Sequence, residues 1–310
     1  MYSTFVQRTK SRYETARVNS SFGTRRAAME TIGETSFILV YRDRRRKWLV
    51  RPVDTPKLHT HLGILDCKSL VGKPFGIMAL TTMNDALYIL KPTLEDIVMK
   101  FARRTQVIYP KDLAMIVIRC GIRPGSRVFE AGTGSGAATA TFASLVGAQG
   151  HVYSYDVNPE FQEIARKNLE KFGLMGSISL KNRDAKLGIE ERDLDAALVD
   201  MGDPWELVPN VKEALAPSGM MAAICPTMNQ AEKLTATMKD YGFVNIETIE
   251  VLVRNLEARV GMTRPSQIMV AHTCYLTFGR KTQGILEPVP DGRDQEEVEA
   301  EGPTGGAEPS

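Results

Sequence analysis

The sequence has no apolar run long enough to cross a bilayer and no basic-then-apolar leader at Met1, so it reads as a cytoplasmic chain with no membrane partner. Cysteine is scarce. Cys67, Cys120, Cys225 and Cys274 are scattered without CxxC or Cys/His spacing, and three sit among apolar neighbours, which excludes a disulfide framework or a zinc site and suits reduced core thiols. Histidine is scarcer still in any useful pattern: His59 and His61 lie close together but lack a third ligand, so no metal is expected, and the pair fits contacts to a polyanion or ordinary loop positions equally well. A Lys-Ser/Thr pair after a glycine turn is absent too, which removes the P-loop nucleotide-binding class. What remains is ordinary globular composition, 43% hydrophobic and 25% charged over 310 residues, enough for one large domain and one small.

The net charge of +2 conceals an uneven distribution. Residues 284–310 carry eight acids against Arg293 alone, and setting that tail aside leaves +9. The excess is densest early, with twelve Lys/Arg and four Asp/Glu in residues 1–51, including the run Arg44-Arg45-Arg46-Lys47. A polyanionic partner fits this distribution, and a solvated turn fits the run equally well.

Periodicity divides the chain. Residues 1–30 are polar and aperiodic, and 283–310 are rich in Pro, Gly and Glu; they read as a flexible extension and a disordered acidic tail. Residues 31–91 hold short apolar runs between turn formers, as expected of a small β-rich domain whose first hairpin turns at Asp43–Arg46. Leu94, Ile97, Val98 and Phe101 share one helical face, predicting a linker helix over 92–105. Residues 106–282 alternate strands with amphipathic helices, which predicts a parallel sheet covered on both faces. Expected strands begin at Arg127, His151, Ile178, Asp195 and Met220, with longer ones over 244–253 and 268–278. Asn158 caps the clearest helix, Pro159 opens it, and Gly173 ends it.

Chemistry concentrates where strands end. Val128-Phe129-Glu130-Ala131-Gly132-Thr133-Gly134-Ser135-Gly136 is a strand entering a glycine turn and then a helix, where absent side chains and free N–H groups admit a ligand. Its G-x-G-x-G spacing differs from the dinucleotide fingerprint G-x-G-x-x-G. Asp156 closes the next strand, about twenty residues on, where a carboxylate can hold both hydroxyls of a ribose. Asp184, after the third strand, is placed for the exocyclic amine of an adenine, although alone it reads as a helix-cap aspartate. One adenosine-containing cofactor satisfies this ordered set. Asp200 ends the fourth strand and should face the same crevice, while Asp203 suits the start of the helix that Pro204 opens.

On these residues the chain resembles the T-loop tRNA (adenine-N1)-methyltransferases of archaea and bacteria. The resemblance spans roughly residues 32–281 and rests on five colinear segments: 59–63, Arg104 to Asp112 (which contains Gln106-Val107-Ile108-Tyr109-Pro110-Lys111-Asp112), Glu130 to Gly136, Asp200 to Trp205, and 272–276. Two departures stand out. The family typically carries Glu where this chain has Asp156, and an apolar residue and Pro where it has Met201-Gly202.

The resemblance implies an α/β fold of the class I S-adenosylmethionine-dependent methyltransferase type, a Rossmann-like seven-stranded sheet with a small N-terminal β domain. It implies S-adenosyl-L-methionine bound by Gln106, Glu130, Gly132, Gly134, Ser135, Gly136, Ala137, Asp156, Asp184 and Asp200. The implied reaction is methylation of adenine N1 at tRNA position 58, with 57 as a second target. Asp200 would orient the target base through its exocyclic amine and Tyr109 would flank it, although Tyr109 also reads as a packed aromatic. A homotetramer is implied as well, and the basic small domain suits a tRNA grip. Two other readings stay open: a non-catalytic tRNA-binding subunit, and a class I methyltransferase with a protein or small-molecule substrate.

Overall fold

The computed structural model describes residues 30–104 and 106–284; the N-terminal extension up to residue 29 and the acidic tail from 285 lie outside the described residues. The chain divides between Thr93 and Leu94 into two units.

In the first unit, β1 (Ile38–Tyr41) and β2 (Lys47–Val50) form the expected hairpin. Its turn closes because Asp43 Oδ1 accepts the backbone N–H groups of Arg45 and Arg46 at 3.0 Å. The Arg46 guanidinium pairs with the same carboxylate and holds its pKa below the usual value, so one cation of the basic run is spent within the turn. Arg44 and Arg45 stay exposed. β3 (Lys57–Thr60) pairs with β4 (Gly63–Asp66), and β5 (Ile77–Leu80) and β6 (Ala86–Leu90) complete a four-stranded antiparallel sheet in the order β2-β1-β6-β5. Ile38, Val40, Leu87 and Ile89, alternate residues of adjacent strands, fill its core with Leu65 and Leu70.

The second unit opens with α1 (Leu94–Val98), and here the expectation of a helix over 92–105 is too long. Asn168 accepts the Ala102 N–H at 3.1 Å and donates to the Ala102 carbonyl at 2.9 Å, drawing the chain off the helical path. Val98 and Phe101 bury in this unit's core, so the stretch is part of it.

Next come α2 (Pro110–Arg119), β7 (Arg127–Ala131), α3 (Ala137–Val146), β8 (His151–Asp156), α4 (Pro159–Lys171), β9 (Ile178–Asn182), β10 (Leu194–Val199), α5 (Val208–Ala214), β11 (Leu215–Cys225), α6 (Met228–Asp240) and β12 (Phe243–Glu250). A two-residue pair, β13 (Leu256–Glu257) with β14 (Arg264–Pro265), precedes β15 (Tyr275–Lys281). The sheet has seven strands in the order β12-β15-β11-β10-β7-β8-β9. The expected all-parallel arrangement needs one correction: β15 runs antiparallel to both its neighbours. It also starts at Tyr275 rather than 268, because its partners, Cys225 of β11 and Glu250 of β12, are themselves the last residues of their strands. Ile268, Met269 and Val270 are left exposed.

Strands buried on both faces feed two cores alternately. Val128, Ala196 and Leu198 pack toward α2, α3 and α4, whereas Phe129, Ala197 and Val199 pack toward α5 and α6. The cap on α4 is as expected, with Asn158 accepting the Glu160 N–H and Gly173 adopting a left-handed φ of 68° just past the end. All four cysteines are buried thiols.

Candidate active site

The site forms where the strand order reverses. β7 lies between β8 and β10, and the chain leaves it toward opposite edges of the sheet, which opens a crevice at the carboxyl ends of these strands. Val199 stands in register with Ala131, and the Asp200 N–H donates to the Ala131 carbonyl at 2.8 Å, so the loop after β10 is tied to the glycine turn after β7. A cavity of about 390 Å³ results, within the range of small-molecule sites.

Most of the expected residues line it. Gln106, Glu130, Gly132, Gly134, Ser135, Ala137, Asp156, Asp184 and Asp200 are all in the wall. Gly136 is not among them. A Cβ there would lie 3.3 Å from Ala165 Cβ, and its φ is +83°, so this glycine serves the close approach of α3 to α4. Tyr109 is absent from the wall as well; it lies in an adjoining depression with Arg103 and Arg104 that shares Gln106 and Val107 with the cavity. His59 and His61 are in the first unit, where His61 lies 6.2 Å from the ring of Trp48. Among the described residues no three His, Cys, Asp or Glu side chains converge as metal ligands.

Four carboxylates share the cavity. Asp156 accepts the Gly134 N–H at 3.0 Å through Oδ2 and the Asn158 N–H at 2.8 Å through Oδ1, which fixes the turn and leaves each oxygen a further lone pair for a ligand. Burial, reinforced by repulsion from Asp156, pushes the Asp200 carboxyl up to about 6. Glu130 is only 1% exposed, and burial raises it to about 8, against hydrogen bonds from Ser154 and Thr139 that favour its ionised form. Asp184 lines the cavity and accepts the Lys186 N–H at 2.9 Å as the cap of a short 3-10 turn. Asp203 precedes such a turn at Pro204 but makes no side-chain cap bond.

Several parts of the site were not anticipated. A buried polar layer under the turn joins Thr133 to Ser154 at 2.7 Å, Gln162 to Thr133 at 3.0 Å and Asn168 to the Ser135 carbonyl at 2.9 Å. Gln162 and Asn168 flank the apolar stripe of α4, and two amides beside a buried face were the available signal. Val157, 65% exposed at the cavity wall, is an apolar residue that no core claims. Arg183, in the same wall, pairs with Glu190, and its Nε is buried with no partner among the described residues. Beside Tyr109, Lys111 Nζ reaches Asp112 at 2.8 Å and Thr273 at 2.6 Å, while Thr273 donates to Asp112 at 2.9 Å. This joins two segments singled out in the sequence, 104–112 and 272–276.

Known proteins similar to this chain are named as methyltransferases. The model of the tRNA methyltransferase complex GCD14 subunit matches residues 85–262. The chain is 32% identical to the tRNA (adenine(57)-N(1)/adenine(58)-N(1))-methyltransferase TrmI of Methanocaldococcus jannaschii, over 84% of this chain and 99% of that one. It is 30% identical to the tRNA (adenine(58)-N(1))-methyltransferase TrmI of Thermus thermophilus, over 78% and 96%. Among solved structures, the tRNA (m1A58) methyltransferase TrmI of Aquifex aeolicus superposes with a TM-score of 0.72 at 32% identity, covering 82% of this chain and all of that one. A Thermotoga maritima protein described as an S-adenosylmethionine-dependent O-methyltransferase gives 0.78 at 36%, covering 83% and 97%.

Proposed function

The chain belongs to the family of the tRNA methyltransferase complex GCD14 subunit, and on that premise we propose that it methylates N1 of adenine 58 in the T-loop of tRNA, with S-adenosyl-L-methionine as donor. One observation carries the reading. The glycine turn and the Asp200 carboxylate wall a single cavity, so a methyl donor and an adenine can meet in it. The residues present fit the donor. Asp156 has lone pairs for ribose hydroxyls, Arg183 in the wall keeps a buried Nε with no partner among the described residues, and the carboxylates of Asp156, Asp184 and Asp200 favour a cation. When bound, the donor supplies a methyl group already activated by its sulfonium charge.

The protein's contribution is therefore position and field. Adenine N1 has its own lone pair and needs no covalent help from a side chain. Asp200, ionised above about pH 6, accepts a hydrogen bond from the exocyclic amine of the target base and favours the positive charge that develops on the ring. Tyr109 flanks the base once it has left its stack. Gln106, Ser135 and Ala137 complete the donor's walls with Asp184.

The first unit, with Arg44 and Arg45 exposed on its turn, supplies phosphate contacts to tRNA. A homotetramer is supported by the exposed apolar residues Leu252, Val253, Leu256, Val260 and Ile268 before β15, and light scattering would measure it. A tRNA substrate suits the cytoplasmic location expected from the sequence. Nucleoside analysis of unmodified tRNA after incubation with the protein and donor tests the reading, and mapping of the modified base separates position 58 from 57. We expect 1-methyladenosine from the wild type and none from Asp200→Ala. Donor uptake without tRNA methylation, or methyl transfer to protein or small hydroxyl compounds instead, would overturn it.

A further inference from the structure

The depression beside the cavity holds chemistry that the methyl donor does not use. It is lined by Arg103, Arg104, Gln106, Val107 and Tyr109, and through Gln106 and Val107 it opens directly beside the donor cavity. Arg103 is exposed and has no ion pair or hydrogen bond among the described residues. Arg104 reaches Glu160 at 2.7 Å, but both side chains are about two-thirds exposed, at 68% and 66%, so water and salt screen the pair and a competing anion can displace the carboxylate. Glu160 lies in the first turn of α4, where the helix N-terminus stabilises its charge without help from Arg104. Tyr109 stands at the start of α2 with its ring half-buried.

Two guanidiniums and an aromatic ring at the edge of a methyl-transfer cavity match one kind of group. Guanidinium forks take phosphate oxygens and rings take bases, and a nucleotide presents both, side by side. We propose that Arg103 and Arg104 form a binding site for the RNA backbone phosphates that flank the target nucleotide, with Glu160 occupying Arg104 until the RNA arrives. The inference rests on the reading that the substrate is RNA. It explains what holds the strand while a base leaves its stack: the lost stacking is offset by charge-assisted contacts to the backbone on either side.

Binding of unmodified tRNA, followed by fluorescence anisotropy across a salt series with methylation assayed on the same preparations, tests the site. Arg103→Gln and Arg104→Gln should each weaken tRNA binding roughly 3- to 10-fold near 0.1 M salt and lower the slope of log Kd against log salt by about 1. The Kd for S-adenosylmethionine should stay at its wild-type value in both. Glu160→Gln should act in the opposite direction, tightening tRNA binding by releasing Arg104, which a merely structural role for the pair would not produce. Unchanged salt slopes in both arginine variants overturn the site, and so does a loss confined to donor affinity, which would make the arginines a buttress of the cavity. Wild-type protein that binds the donor but neither binds nor methylates tRNA overturns the underlying reading instead.

Discussion

The carbonyl oxygen of Asp200 stands where a side chain on Gly132 would begin: a Cβ built on Gly132 lies 2.1 Å from it, and Gly132 has a φ of +95°. The glycine is thus required twice, by backbone conformation and by the approach of the neighbouring strand's loop, and it couples the turn to the carboxylate it faces.

Gly132→Ala should therefore damage stability and binding together. The backbone strain costs about 1–3 kcal/mol, and the overlap forces the Asp200 loop away from the turn. Gly136→Ala should lower stability as well, by opening α3 from α4, but it does not line the cavity. Thermal denaturation and calorimetric titration with S-adenosylmethionine separate the two, and equal loss of donor affinity in both variants would contradict the assignment.

Asp200→Asn keeps the shape and removes the charge. If the carboxylate acts mainly on charge developing in the transition state, kcat/KM should fall by about 10²- to 10³-fold, or about 2.7–4 kcal/mol. Because the carboxyl titrates near 6, the wild-type kcat/KM should rise with pH through that region. The asparagine variant should lack this limb; its survival there would assign the titration to another group.

Glu130 gives a stability signature of definite sign. Its carboxyl ionises at an ordinary 4.5 in the unfolded chain but at about 8 when folded, so between those values the folded state holds an extra proton and stability falls as pH rises. Glu130→Gln removes the titration. Relative to the wild type, this variant should have a higher Tm at pH 8 than at pH 5, with a difference that grows across the interval. A flat difference would show that the carboxylate is not penalised by burial.

Asn168 bridges the glycine turn to Ala102, with its amide donating to Ser135 and Ala102 carbonyls and its oxygen accepting from Ala102. Asn168→Ala leaves the Ser135 carbonyl buried and unpaired, at about 1–3 kcal/mol, while the exposed Ala102 groups turn to water. A Tm close to the wild type would mean that water replaces the amide.

The alternation of strands and helices, the Asp43–Arg46 turn, the Asn158 cap and the order Gly132–Gly134, Asp156, Asp184, Asp200 were all legible in the chain, because each depends on neighbours within a few residues or on a strand simply ending. Other properties depend on which strands lie side by side. Strand order turned β15 against its neighbours, gave Gly136 to helix packing and put Tyr109 in the adjoining depression. It also raised Glu130 and Asp200 by burying them beside other carboxylates, and brought Lys111 to within 2.6 Å of Thr273, 162 residues away. Desolvation and through-space charge act on distances that local sequence does not encode, so these features exist only once the sheet has closed around the site.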